Sequence, residues 1–281
     1  NVSMTATKAL EGRLHMHWFG LREDQVTDAL SRVLPNFSHI AHWALLFPLY
    51  ILYRLSKKRF YPVVVAEGEE RLLNMVPSRT VHFDELINSQ KDKVEQFIAL
   101  GAGFDTRSYG LLKYSHLKCF ELDKASTQKL KIQSLKKAGV DCSEVTFVEA
   151  DFSQENWFEK LKNNGYDPGL KTIFLWEGVT LYLSEKDVRK TLQTLKSNAA
   201  HGSIVIADIY DFNFLKMLNK GSGVLKANNE SLGGFGLDFT ISPEQAVLEF
   251  TNSMQIKIGR HFFLGTKNKS GAFMVVTEIV L

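Results

Sequence analysis

The chain is poor in cysteine: Cys119 and Cys142 are its only two in 281 residues, far apart and without ligand-like spacing. That excludes a disulfide framework and a cysteine-built zinc site, and it fits a reducing, cytoplasmic compartment. Charge of one sign is also scarce. The formal net charge is +3 and no long basic block occurs, so a nucleic-acid partner is not expected. Eight histidines include no His-x-x-x-His pair beside a Glu, so no metal is expected. His15, His17, His39 and His42 read as helix-surface residues. No nucleophile–His–acid arrangement stands out, which leaves covalent catalysis without support. The first residues show no basic region before an apolar core, so no secretory signal is read. There is no internal repeat and no low-complexity tract.

Long apolar runs are nearly absent as well. The one membrane-like stretch, 40–53, precedes Lys57-Lys58-Arg59 and is interrupted by His42 and Pro48. It is shorter than the roughly 20 residues that span a bilayer. Its aromatic and basic flank permits membrane-surface contact. The expectation, however, is a helix packed over the ligand site or at a partner interface. With 44% hydrophobic and 23% charged residues, the composition is that of an ordinary soluble globular protein. The length suits one large domain, or one domain with an appended lobe.

What is present is an alternation. Residues 1–93 read as helical and irregular, with helices near 5–18, 23–33 and 38–58, and a short lead-in at 84–87. From 94 onward, strands at 94–100, 118–122, 145–150, 172–176, 203–209, 255–263 and 272–280 alternate with helices near 105–113, 125–138, 154–163, 184–199 and 243–253. Ser184-x-x-Asp187 and Ser242-x-x-Gln245 are helix starts, the second with Pro243 at its first position. The pattern predicts an α/β fold with a mostly parallel sheet covered on both faces. Only a short glycine-bearing turn separates the last two strands, so the sheet should end in an antiparallel hairpin. That layout is the Rossmann-like one of class I methyltransferases. The expected division is an N-terminal helical lid (1–93) and a catalytic domain (94–281) with an insertion near 211–254. The glycine-rich segment from 221 to 236 reads as a mobile loop.

The chemistry centres on Phe97-Ile-Ala-Leu-Gly-Ala-Gly-Phe-Asp-Thr-Arg107 and Cys119-Phe-Glu-Leu-Asp123. A buried strand ending in Gly-x-Gly lets the backbone turn sharply and approach a ligand. An acid about 20 positions past the first glycine suits a ribose diol. Position 106 is Thr where a dinucleotide fingerprint has a third glycine. A nucleoside without a pyrophosphate is therefore favoured, with S-adenosyl-L-methionine as the leading candidate cofactor and a nicotinamide oxidoreductase a distant alternative.

Four motifs in order, Leu100-Gly-Ala-Gly-Phe-Asp-Thr-Arg107, Phe120-Glu-Leu-Asp123, Phe147-Val-Glu-Ala-Asp-Phe152 and Trp176-Glu-Gly-Val-Thr-Leu-Tyr-Leu183, follow Pro77-Ser-Arg-Thr80. In them the chain resembles the leucine carboxyl methyltransferase family, and within it the polyketide-type (tetracenomycin-type) O-methyltransferases. The resemblance runs from about residue 75 to 210. It implies that Arg79 grips the methionine carboxylate and that Gly101 and Gly103 pass beside the methionine portion. Asp105 starts the next helix, as a cap or near the cofactor. Asp123 takes the ribose, with Glu121 on the same strand face but set back from it. Asp151 with Phe152 reads the adenine, and Glu177 faces the amino group and sulfonium. Tyr182 and Arg107 are the candidates for acceptor contact, with Trp18, Phe19 and Trp43 of the N-terminal helices.

The implied activity is O-methyl transfer to a carboxylate or hydroxyl of a small, mostly apolar molecule. Two alternatives stand beside it, a protein C-terminal carboxylate as acceptor and a non-catalytic cofactor-binding protein. The full charge set Arg79, Asp123, Asp151 and Glu177 argues against the second. The brevity of 211–254 argues against the first, because members that modify proteins carry a larger late lobe.

Overall fold

The computed structural model describes residues 4–35, 37–151, 156–221 and 234–281. The apolar runs become strands β1 (Gln96–Leu100), β2 (Lys118–Asp123), β3 (Val145–Glu149), β4 (Thr172–Trp176), β5 (Ile204–Tyr210), β6 (Lys257–Leu264) and β7 (Met274–Val280). They form one sheet in the order β3-β2-β1-β4-β5-β7-β6. The first five are parallel, and β7 lies antiparallel between β5 and β6. β1, β4 and β5 are buried along their whole length, which is why they read as continuous apolar runs.

Side chains alternate across the sheet. Phe97 and Ala99 join one apolar cluster with Leu10, Leu30, Phe83 and Leu86, while Ile98 and Leu100 join the other with Trp157, Val188 and Leu192. The first face is therefore covered by α1 (Met4–Trp18), α2 (Gln25–Ser31) and α4 (Met75–Gln90), with α5 (Ala125–Lys137). The second is covered by α6 (Trp157–Asn163), α7 (Glu185–Asn198) and α9 (Pro243–Ser253). α7 buries Val188, Thr191, Leu192 and Leu195 at helical spacing, and its Ser184 cap accepts from the Asp187 N–H at 3.2 Å. Between α2 and α4 runs α3 (His39–Ser56), of which only Leu46 is fully buried.

Four expectations are corrected. The helix at 105–113 is absent. A single 3-10 turn at Arg107–Tyr109 replaces it, because Asp105 and Arg107 are held in ion pairs that an α-helix would misdirect. α4 spans sixteen residues where only 84–87 had been drawn; its N-terminus lacks a side-chain cap and its polar residues blur the periodicity. A helix, α8 (Phe212–Gly221), opens the segment after β5. His15 is buried at 4% exposure and bonded to the Tyr61 hydroxyl at 3.1 Å, so it is not a surface residue. The expected loop lies mostly outside the described residues.

Candidate active site

The sheet's topology places the site. From β1 the chain steps outward to β2 and β3 on one side and to β4 and β5 on the other, so a crevice opens above the carboxyl ends of β1 and β4. At the end of β1, the Gly101 and Ala102 N–H groups donate to the Leu122 carbonyl, each at 2.9 Å, which binds the turn to β2. Gly101 has φ +71°, and a Cβ there would lie 2.6 Å from Val179 Cγ2. Gly103, at φ +46°, faces Ala6 of α1, 3.1 Å from where its own Cβ would be. Its N–H donates to Asp123 Oδ2 at 2.6 Å, and Asp123 Oδ1 accepts from the Lys124 N–H at 2.7 Å. Burial pushes the Asp123 carboxyl up, against those two donors. Asp151, one strand over, pairs with Lys124 at 3.5 Å. Phe152 lies outside the described residues.

A second group of charges sits where β4 ends. One oxygen of Glu177 accepts from Arg107 Nη1 at 2.6 Å, and the other is 3.1 Å from Arg79 Nη2 and 3.8 Å from Arg13 Nη1. Arg107 also pairs with Asp84 at 2.6 Å and with Asp105, to which Arg13 adds a contact at 3.5 Å. Asp105 accepts from the Arg107 N–H at 2.8 Å, so it stabilises a turn and not a helix end. Arg79 donates to Asp208 at 3.0 Å and to the Tyr210 hydroxyl at 2.7 Å, and that hydroxyl donates back to Asp208 at 2.9 Å. Burial alone would raise the Glu177 carboxyl, but Arg107, Arg79 and Arg13 outweigh it and hold the group below the usual carboxylate range. Asp105 is depressed in the same way by Arg107 and Arg13. Asp208, buried deeper, is pushed up despite Arg79 and the Gly178 N–H.

Arg79, Asp105, Arg107 and Glu177 thus converge, and Gly101, Gly103 and Asp123 form a second convergence at the neighbouring strand ends. Glu121 faces neither: it is buried against Lys131 at 2.6 Å. Tyr182 stands half-buried on the 3-10 turn at Thr180–Tyr182, packed against the first apolar cluster. Trp18 meets Trp43 and Phe19 meets Tyr50 edge to face, and Trp43 and Tyr50 pack at a tilt. Arg13, Asp84, Asp208 and Tyr210 escaped the reading of the sequence. Only Asp208 left a signal, as a lone acid inside the apolar run 203–209.

The cluster holds donors that S-adenosylmethionine could use. Arg13 Nε, Arg79 Nε and Arg107 Nη2 are buried N–H groups without hydrogen bonds, and Glu177 Oε1 is held by its ion pairs with Arg79 and Arg13. Unused guanidinium donors beside a carboxylate are complementary to the two ends of a zwitterionic amino-acid tail. The left-handed Gly101 and Gly103 are packed against Val179 and Ala6, so the turn leaves no room for side chains at either position and presents bare backbone at the strand end. The residues fit the group.

A sheet of this order, with a reversed β7 and an acid at the end of β2, defines a class I methyltransferase fold. Two solved structures share it. The methyltransferase domain of bacterial CtHen1 is 13% identical, with a TM-score of 0.50 over 74% of this chain and 100% of that one. A protein of Pyrococcus horikoshii is 13% identical, with a TM-score of 0.50 over 82% and 98%. The profile of the leucine carboxyl methyltransferase family matches residues 54–196, just over half of the 281. The chain belongs to that family of S-adenosylmethionine-dependent methyltransferases. Among relatives, a protein of Mycolicibacterium vanbaalenii is 29% identical over 143 residues, covering 50% of this chain and 48% of that one. One of Streptomyces avermitilis is 31% identical over 128 residues, covering 44% of each. Both are provisionally named S-adenosyl-L-methionine-dependent methyltransferases. The chain spans about half the length of the curated relatives it matches.

Proposed function

We propose that the chain is an O-methyltransferase of the polyketide type, acting on a carboxylate or hydroxyl of a small, mostly apolar molecule. The observation that supports it best is the pairing of Glu177 with both Arg79 and Arg107 beside the Gly101–Gly103–Asp123 turn. In this reading Arg79, with Arg107 behind it, holds the carboxylate of the donor's tail, and Glu177 receives its ammonium. Asp123 exchanges the Gly103 N–H for ribose hydroxyls. Asp151, with Phe152, reads the adenine amino group. When bound, S-adenosylmethionine supplies an electrophilic methyl on a sulfonium.

The chain's remaining work is to position the acceptor and exclude water. Tyr182 orients the acceptor from the turn after β4, and the helices before β1 roof the site. An acceptor carboxylate is ionised at neutral pH and needs no base, whereas a phenol gains from one. No histidine is among the residues that line the charge cluster, which favours the carboxylate.

The test has two stages. Calorimetry should detect S-adenosylmethionine and its demethylated product, and failure to bind either rejects the reading. Transfer of labelled methyl to a panel of small carboxylic acids and phenols then separates acceptors. Label released as methanol by mild alkali marks an ester, and alkali-stable label marks an ether or amine.

A further inference from the structure

α3 is apolar over most of its circumference, with His39, His42 and Arg54 its only basic residues, yet it is docked on one side only. Its inward stripe is aromatic: Trp43 and Tyr50 meet Trp18 and Phe19 of the α1 region, and Leu46 is buried between them. The outward arc carries Ile40, Leu45, Phe47, Ile51, Leu52 and Leu55, all exposed, with Ile40 at 79%, Leu45 at 75% and Leu55 at 80%. Along an 18-residue helix this makes an apolar strip about 27 Å long. A helix with no polar face is ordinarily buried or in contact with lipid, and exposed apolar patches of this extent mark a contact surface.

The charges beside the strip identify the contact. Arg54 lies on its edge, and Lys57, Lys58 and Arg59 follow at its end, all exposed. Arg54 reaches the Tyr50 hydroxyl, and Arg59 reaches the Phe19 carbonyl and the Tyr53 hydroxyl, so neither is opposed by a carboxylate in these bonds. Between Asp28 and Glu67 the sequence contains no acidic residue. A second copy docked face to face would therefore bring no carboxylate to this cluster from its own α3 region. An anionic phospholipid surface offers both complements at once, acyl chains for the strip and negative headgroups for the cations. None of the described helices is long and apolar enough to cross a membrane.

We propose that α3 lies in the plane of an anionic membrane surface, with Ile40, Phe47, Ile51 and Leu55 inserted and Arg54, Lys57 and Lys58 at the headgroups. The helix thereby fixes which side of the domain faces the lipid. The inference is independent of the methyl acceptor.

Flotation with lipid vesicles tests it. The chain should float with vesicles of phosphatidylcholine and phosphatidylglycerol, remain behind with phosphatidylcholine alone, and be released as salt rises. Lys57→Ala and Lys58→Ala should each lower the partition coefficient about fivefold on the anionic vesicles. The pair Ile51→Ser with Leu55→Ser should abolish flotation while thermal unfolding stays that of wild type. Failure to bind the anionic vesicles, binding indifferent to lipid charge, or binding unchanged in the lysine variants overturns the proposal. So does a concentration-dependent dimer, broken by the serine pair, in a chain that does not float.

Discussion

Arg79 and Asp208 meet at 3.0 Å inside the protein, although 129 residues separate them in the chain. The contact ties α4 to β5 across the end of the sheet, and Tyr210 closes it into a triangle. Breaking a buried pair from one side leaves the other charge uncompensated. Asp208→Ala should therefore cost about 3–5 kcal/mol in urea unfolding, whereas Arg79→Met with Asp208→Leu should recover part of that loss. Equal destabilisation by the single and double variants would show that packing, and not charge, dominates here.

Asp123 is the residue proposed to take the ribose. Its side chain is half-buried and its carboxylate accepts from two backbone N–H groups, so shortening it also orphans those donors, and the unfolding midpoint is to be read beside the affinity. Asp123→Ala should weaken S-adenosylhomocysteine binding by about 1–3 kcal/mol, the cost of losing a charged hydrogen-bond partner. Calorimetric affinity equal to wild type would remove Asp123 from the ribose site.

Stability should fall with pH in two stages. Burial lowers the His15 pKa from 6.5 to about 4, and His39 and His82 shift in the same direction. The unfolded chain then binds the proton first, so the stability held with neutral His15 is complete above pH 6.5 and is lost as pH falls toward 4. At 1.36 kcal/mol per unit, the loss at His15 is on the order of 3 kcal/mol. His15→Gln should flatten that limb of a urea-midpoint profile. Glu177 and Asp105, both depressed, act lower: their contribution is full above the ordinary carboxylate range and disappears only below it.

Gly101→Ala should do more harm than its one methyl implies. The left-handed backbone alone disfavours the variant, and the new Cβ would lie 2.6 Å from Val179 Cγ2. Val179→Ala should relieve the second cost and leave the first. A denaturation midpoint fully restored in the double variant would mean that the backbone relaxes.

The seven strands and the fully apolar β1, β4 and β5 were legible in the sequence because a run buried on both faces admits few other readings. The glycine turn and Asp123 were legible for a related reason, since their spacing is set by a local strand–turn–strand geometry. The charge cluster was not. Arg13, Asp84 and Asp208 come from three separate elements; the first two alone look like ordinary surface charges, and Asp208, though out of place in its apolar run, names no partner until the fold closes. The false helix at 105–113 has the same origin: local propensity favoured it, while pairing of Asp105 and Arg107 to partners far along the chain forbade it. α3 was half legible. Its apolar content was evident, but only packing reveals that the aromatic side is consumed and the aliphatic side is left over.

The contacts of α1 with the glycine turn carry a kinetic consequence. Ala6 crowds Gly103, and Arg13 donates to the Phe104 carbonyl at 3.1 Å while sharing Asp105 with Arg107 and Glu177 with Arg79 and Arg107. On the proposed placement of the donor beside this turn, a helix latched onto it should set the rate of donor exchange. Arg13→Ala should accordingly speed release of S-adenosylhomocysteine in stopped-flow measurements more than it weakens equilibrium binding. Residence time on this protein would then be written in its first helix, and not in the sheet that carries the nucleoside.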